Sequence, residues 1–99
     1  MKKTFVLSHP KIKLERLVDS FKFEAKKYIK RERNKKLPEG ADFWDFDCRF
    51  GQTEEVAEEI RLSAISKCID EIVSQNHTSF YLEILAKPGF KNIDFGDDE

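Results

Sequence analysis

The sequence is poor in the features that most readily announce a function. It has two cysteines in 99 residues, Cys48 and Cys68, with no Cys-x-x-Cys pair and no histidine at zinc-finger spacing. That argues against a disulfide-stapled scaffold and a finger-type metal site. Both cysteines fall in apolar patterns and are expected to be buried free thiols. No run approaches the roughly 20 apolar residues of a membrane span. The basic start Met1-Lys2-Lys3 is followed only by Phe5-Val6-Leu7, too short for a signal sequence. A reduced, soluble, cytoplasmic protein without membrane contact is the expectation. No glycine-rich loop cradles phosphate, and no serine stands in a nucleophile-elbow pattern. His9 and His77 lie at element boundaries, where turn and cap roles are commoner than catalysis. Burial on the apolar face of its strand would suppress the reactivity of Cys48. A non-enzymatic protein with no cofactor is therefore expected.

What is present is a full set of core-forming side chains. Ninety-nine residues suit one domain, residues 1–99. Aromatics reach 12%, with nine phenylalanines, which a disordered chain would lack. The net charge of −1 hides a division: residues 1–37 carry thirteen Lys/Arg against four Asp/Glu, and residues 38–99 carry five against fifteen. Asymmetry of that size points to a charged partner or a strongly dipolar surface.

Periodicity places the elements. Thr4–Ser8 alternates as a short strand, which His9-Pro10 breaks. From Lys11 to Arg33, Leu14, Leu17, Val18, Phe21, Ala25, Tyr28 and Ile29 recur at helical steps, with Phe23 off the stripe. Asn34 to Gly40 ends that helix. Asp42 to Gly51 alternates strictly, with Trp44, Phe46, Cys48 and Phe50 on one face and Phe43, Asp45, Asp47 and Arg49 on the other. It is read as the strand around which the rest packs. Thr53 looks like an N-cap followed by early glutamates, predicting a second helix to about Ser74 with Asn76 as its stop. Ser79–Ala86 is a third strand, which Lys87-Pro88-Gly89 should end, and the acidic tail 91–99 should fray. The expected fold is α+β: a β-α-β-α-β two-layer sandwich with two helices on one face of a three-stranded mixed sheet.

Several stretches together carry a family resemblance. These are the Met-Lys-Lys-Thr-Phe start, Lys30 to Gly40 (KRERNKKLPEG), Asp42 to Arg49 (DFWDFDCR) and Tyr81 to Gly89 (YLEILAKPG). On them the chain resembles a family of small, uncharacterised bacterial proteins classed as a domain of unknown function. The resemblance implies a compact stand-alone bacterial domain and brings no activity, ligand or catalytic residue with it.

Three candidate chemistries remain. Lys22 to Lys36 holds eight Lys/Arg and two Glu. Lys22, Lys26, Lys30 and Arg33 fall on one flank of the first helix, and Lys27 and Arg31 on the other. Cations suit a helix C-terminus, but eight in fifteen positions exceed that need. The leading expectation is RNA binding, non-specific and salt-sensitive, through Lys26, Lys27, Lys30, Arg31, Arg33, Lys35 and Lys36. The open sheet face is expected to show Phe43, Asp45, Asp47, Arg49, Tyr81 and Glu83. Phe43 and Tyr81 could stack on bases, but the carboxylates beside them repel phosphate. Asp45 and Asp47, about 7 Å apart, might be joined by Glu83 around Mg²⁺ or Mn²⁺, although Arg49 competes and a solvated face without metal is favoured. The alternative function is a protein-protein interaction or homodimerisation module using complementary charge patches, with Leu62, Ile69 and Val73 as its buried part. The chain would then be a monomer or a weak homodimer.

Overall fold

The computed structural model describes residues 1–91, so the acidic tail expected to fray lies, apart from Lys91, outside the described residues. The elements run β1 (Lys2–Val6), α1 (Leu14–Arg33), β2 (Phe43–Gly51), β3 (Glu58–Ile60), a 3-10 turn (Leu62–Ala64), α2 (Ile65–Ser74) and β4 (Ser79–Gly89). The strands form one sheet in the order β1-β4-β2-β3, with every pairing antiparallel. Both helices cover the same face of it. The α+β two-layer sandwich is as the alternation implied, but the sheet has four strands rather than three and is antiparallel rather than mixed.

The core forms where the two periodicities meet. Phe5 of β1, Phe46 and Cys48 of β2, and Phe80, Leu82 and Ile84 of β4 point to one side. Val18 and Ala25 of α1 and Ile65, Ile69 and Ile72 of α2 close over them. Phe80, fully buried, stacks on Phe5 at 4.9 Å and on Phe50 at 5.2 Å, and meets the edge of Phe21 at 5.9 Å. Such ring pairs add about 0.5–1.5 kcal/mol each beyond the area they bury. β2 is an interior strand, as its alternation suggested. The heaviest burial belongs instead to its neighbour β4, where Phe80 to Ile84 are all buried. Cys48 is buried in the core and Cys68 is half-buried, both as free thiols.

The boundaries follow local chemistry. The Nδ1 of His9 accepts from the backbone N–H groups of Lys11 and Ile12, at 3.0 and 3.2 Å, a turn role that delays α1 to Leu14. Asn76 takes φ 61°, the left-handed conformation that stops a helix, and its N–H reaches back to the Val73 carbonyl. β4 runs on through Lys87-Pro88-Gly89 instead of stopping there. β1 pairs with it only as far as Glu83, so Pro88 sits where the β1 side of the strand is open and a missing N–H is tolerated.

The largest departure concerns residues 53–64, expected to open the second helix. Residues 52–57 form a turn, and Glu58–Ile60 pair with Cys48–Phe50 as β3. Two physical reasons explain it. Glu54 with Glu58 and Glu55 with Glu59 are like-charge pairs four apart, which oppose a helix. The hairpin also lets Ile60 join the core beside Cys48 and gives the outer edge of β2 a partner. The close return depends on Gly51, where a Cβ would stand 2.7 Å from the Ala57 Cα.

Two substitutions test this packing. Gly51→Ala should destabilise by about 1–3 kcal/mol, because the obstructing atoms are backbone. Ile69→Ala, at a fully buried position, should cost about 2–5 kcal/mol. Urea unfolding followed by tryptophan fluorescence reads both.

Candidate basic groove and the closed part of the sheet face

The apolar stripe of α1 faces the sheet, so one charged flank of the helix is turned toward the start of the second helical segment. Lys26, Lys30 and Arg33 line a groove of about 480 Å³ with Ile29, Asn34 and Leu62. A second depression of about 210 Å³ continues it, lined by Lys22, Ala25, Lys26, Ile29, Leu62, Ser63, Ile65 and Ser66. Lys26, Ile29 and Leu62 belong to both. The result is one trough between α1 and residues 62–66, apolar below and basic on the helix side.

The expected cationic residues divide. Lys26, Lys30 and Arg33 come together, and Arg33 is held with its guanidinium 5.5 Å from the Phe46 ring. Lys22, on the same flank, is paired with Asp70 at 2.6 Å. Lys27 and Arg31 do not line the trough; Arg31 lies 5.4 Å from the Tyr28 ring. Lys35 is tied to Glu32 at 2.8 Å, while its carbonyl accepts from the Trp44 indole at 2.9 Å. Lys36 is exposed. Leu62, Ser63 and Ser66 lie some thirty residues away in sequence, and no local pattern marks them as neighbours of this helix flank. Arg61, exposed beside Leu62, lines an adjoining depression with Asp45 and Glu59.

The other face of the sheet is less open than alternation implies. Register sets Arg49 opposite Glu83 on one side and Glu59 on the other, and Tyr81 opposite Gly51. Tyr81 is 3% exposed and Glu83 6%. The turn at 52–57 folds back over this patch, because Arg49 Nη2 donates to the carbonyls of Glu54 and Ala57, at 3.3 and 3.1 Å. Beneath it, Glu83 Oε1 accepts from the Tyr81 hydroxyl at 2.8 Å and meets Arg49 Nη1 at 3.4 Å. Tyr81 is thus a buried side chain with no ring face for a base, which corrects its expected place on an open surface. Phe43 remains exposed, its ring over Gly89.

The carboxylates on this face are separately engaged. Asp47 pairs with Lys87 at 2.8 Å, which raises the lysine's pKa through that hydrogen bond. Asp45 Oδ1 accepts the Phe46 N–H at 2.8 Å, and Glu83 is turned to Tyr81 and Arg49. Among the described residues, no three acidic, histidine or cysteine side chains converge as a metal site. Leu62, Ile69 and Val73 also fail as an outward apolar arc, since Ile69 is fully buried and the other two pack against the core.

A family described as a family of unknown function (DUF6172) matches residues 1–94. The chain belongs to this family. Comparison with curated proteins gave no match, and comparison with solved structures gave none. No helix among the described residues is long and apolar enough to cross a membrane.

Burial first, and then the hydrogen bond to Glu83, push the Tyr81 hydroxyl up to about 12 from an ordinary 10.0. The folded state therefore keeps a proton that the unfolded chain releases. This contribution to stability is full below pH 10 and is lost as pH rises through 12. Denaturation midpoints of the native chain should fall across that window, and Tyr81→Phe should fall less steeply. At pH 7 the variant should lose about 1–3 kcal/mol, because buried Glu83 loses the shorter of its two hydrogen bonds and keeps only Arg49.

Proposed function

We propose that this protein binds RNA without sequence specificity, holding the phosphate backbone along the groove of Lys26, Lys30 and Arg33. The observation that carries the reading is the gathering of these three cations on one concave surface, rather than their scatter over a helix. Phosphates bound by several cations at once displace condensed counterions, which is how such a surface gains affinity. Asn34 at the groove end and Arg61 beside Leu62 extend the polar lining. The carboxylates of the sheet face keep the strand out of that side. The role needs no catalytic group, and the protein is read as a non-enzymatic binder. A cytoplasmic setting belongs to the same reading, since Cys48 and Cys68 stand as free thiols.

A protein-binding role is the second reading, favoured by Phe23, a residue 66% exposed on α1. Fluorescence anisotropy with a single-stranded RNA at 50 and 200 mM salt separates the two. With three phosphate contacts at about 0.7 ions each, affinity should fall by about tenfold to twentyfold between those salts. Lys26→Glu/Lys30→Glu/Arg33→Glu should abolish binding, whereas Phe23→Ser should leave it unchanged. Salt-independent binding, or equal binding by the triple variant, overturns the RNA reading.

A further inference from the structure

We propose that the inner end of the groove is a pocket for one unpaired nucleobase, so that the protein selects single-stranded over duplex RNA; this rests on the function proposed above. The two ends of the trough differ in character. Lys26, Lys30 and Arg33 line the outer part. The inner depression, of about 210 Å³, is bounded by Ala25, Ile29, Leu62 and Ile65, with the hydroxyl-bearing Ser63 and Ser66. Of its two lysines, Lys22 is paired with Asp70 at 2.6 Å, and Lys26 also lines the outer part. A phosphate pushed into the inner end would lose water against aliphatic side chains, with the Lys22 charge already neutralised by Asp70. A flat, uncharged group with apolar faces and a hydrogen-bonding edge suits that end, and within a nucleotide this group is the base.

The placement of the side chains agrees with this division. Lys26 lines both parts, so it can hold the phosphate of the nucleotide whose base enters. Ile29 and Leu62 also line both, giving sugar and base a continuous apolar floor. Ala25, buried in that floor, leaves room that a larger side chain at its helical position would fill. Aliphatic walls accept the face of any base, and a serine hydroxyl both donates and accepts. The pocket therefore takes a base without fixing which one, in keeping with binding that is not sequence-specific. Bases of a single strand are available to such a pocket, whereas a duplex must first unstack and unpair one. Electrostatics alone runs the other way, since a B-form duplex releases about 0.9 counterions per phosphate contacted against about 0.7 for a single strand. A preference for the single strand reports the pocket and not the charge.

Fluorescence anisotropy at low salt tests the pocket with three probes of equal length: a single-stranded RNA, a blunt RNA duplex, and a single strand made of abasic nucleotides. The single strand should bind about tenfold tighter than either of the others, which is the order of one base contact. Ser63→Leu and Ser66→Leu, at exposed positions outside the core, should fill the depression while leaving Lys26, Lys30 and Arg33 in place. Each should bring the single strand down to the affinity of the abasic strand and leave duplex binding unchanged, which also shows that the variants are folded. A duplex or abasic strand bound as tightly as the single strand, with the expected salt sensitivity, overturns the pocket and leaves the RNA reading standing. Undiminished single-strand binding by both variants overturns the pocket as well. Absence of binding by all three probes overturns the RNA reading, and the proposal with it.

Discussion

The ring of Phe80 is the contact on which the rest of this structure depends. It touches Phe5 of β1, Phe21 of α1 and Phe50 of β2 from its own place in β4. Four elements, distant in sequence, are therefore located relative to one another by a single buried side chain. Aromatic rings are rigid and prefer offset or edge contacts, so the cluster orients the helix as well as attracting it. With Phe21 turned into the cluster, the helical repeat leaves little choice for the remaining residues. Ala25, Tyr28 and Ile29 must follow it inward. The flank carrying Lys26, Lys30 and Arg33 is then presented beside the segment that leads into α2. The basic groove is a consequence of how the core is packed.

The opposite face of the sheet follows a different logic. Packing with helices covers one side, and the turn at 52–57 covers part of the other. It is held by the Arg49 guanidinium and admitted by the missing side chain of Gly51. The cost of burying a carboxylate at Glu83 is offset by the Tyr81 hydroxyl and the Arg49 charge. This closed patch removes from the surface the residues that looked most like a second site. What stays exposed on that side is Phe43 and a set of engaged charges. The polarity of the molecule is therefore organised: cations gather in a groove in the helical layer, and carboxylates on the sheet are paired or turned aside.

Local patterns made much of this legible. The stripe from Leu17 to Ile29 identified α1 and also divided its lysines into the two flanks the structure shows. The alternation of Trp44, Phe46, Cys48 and Phe50 identified β2 and its inward side. His9 and Asn76 were readable as boundary residues because their preferences act over a few bonds. At 53–64 the N-cap signal of Thr53 points to a helix, but the like-charge glutamate pairs and the open edge of β2 outweigh it. The apolar residues there, notably Ile60 and Leu62, do face the core, but from a strand and a 3-10 turn. Hydrophobic content reports burial well and says less about which backbone delivers it.

By itself, the sequence determined the two-layer α+β class, the inward faces of α1, β2 and β4, and the concentration of positive charge at one helix end. All of these arise from spacing within a single element, where the geometry of helix or strand converts sequence directly into a face. Only the tertiary structure decided the strand order, the fourth strand, the burial of Tyr81 and Glu83, and the pairing of the α1 flank with Leu62, Ser63 and Ser66 into a groove. Each of these depends on residues far apart in sequence, or on whether one edge of a sheet finds a partner. No periodicity within a segment carries that information, because it is settled by which elements bury surface against which.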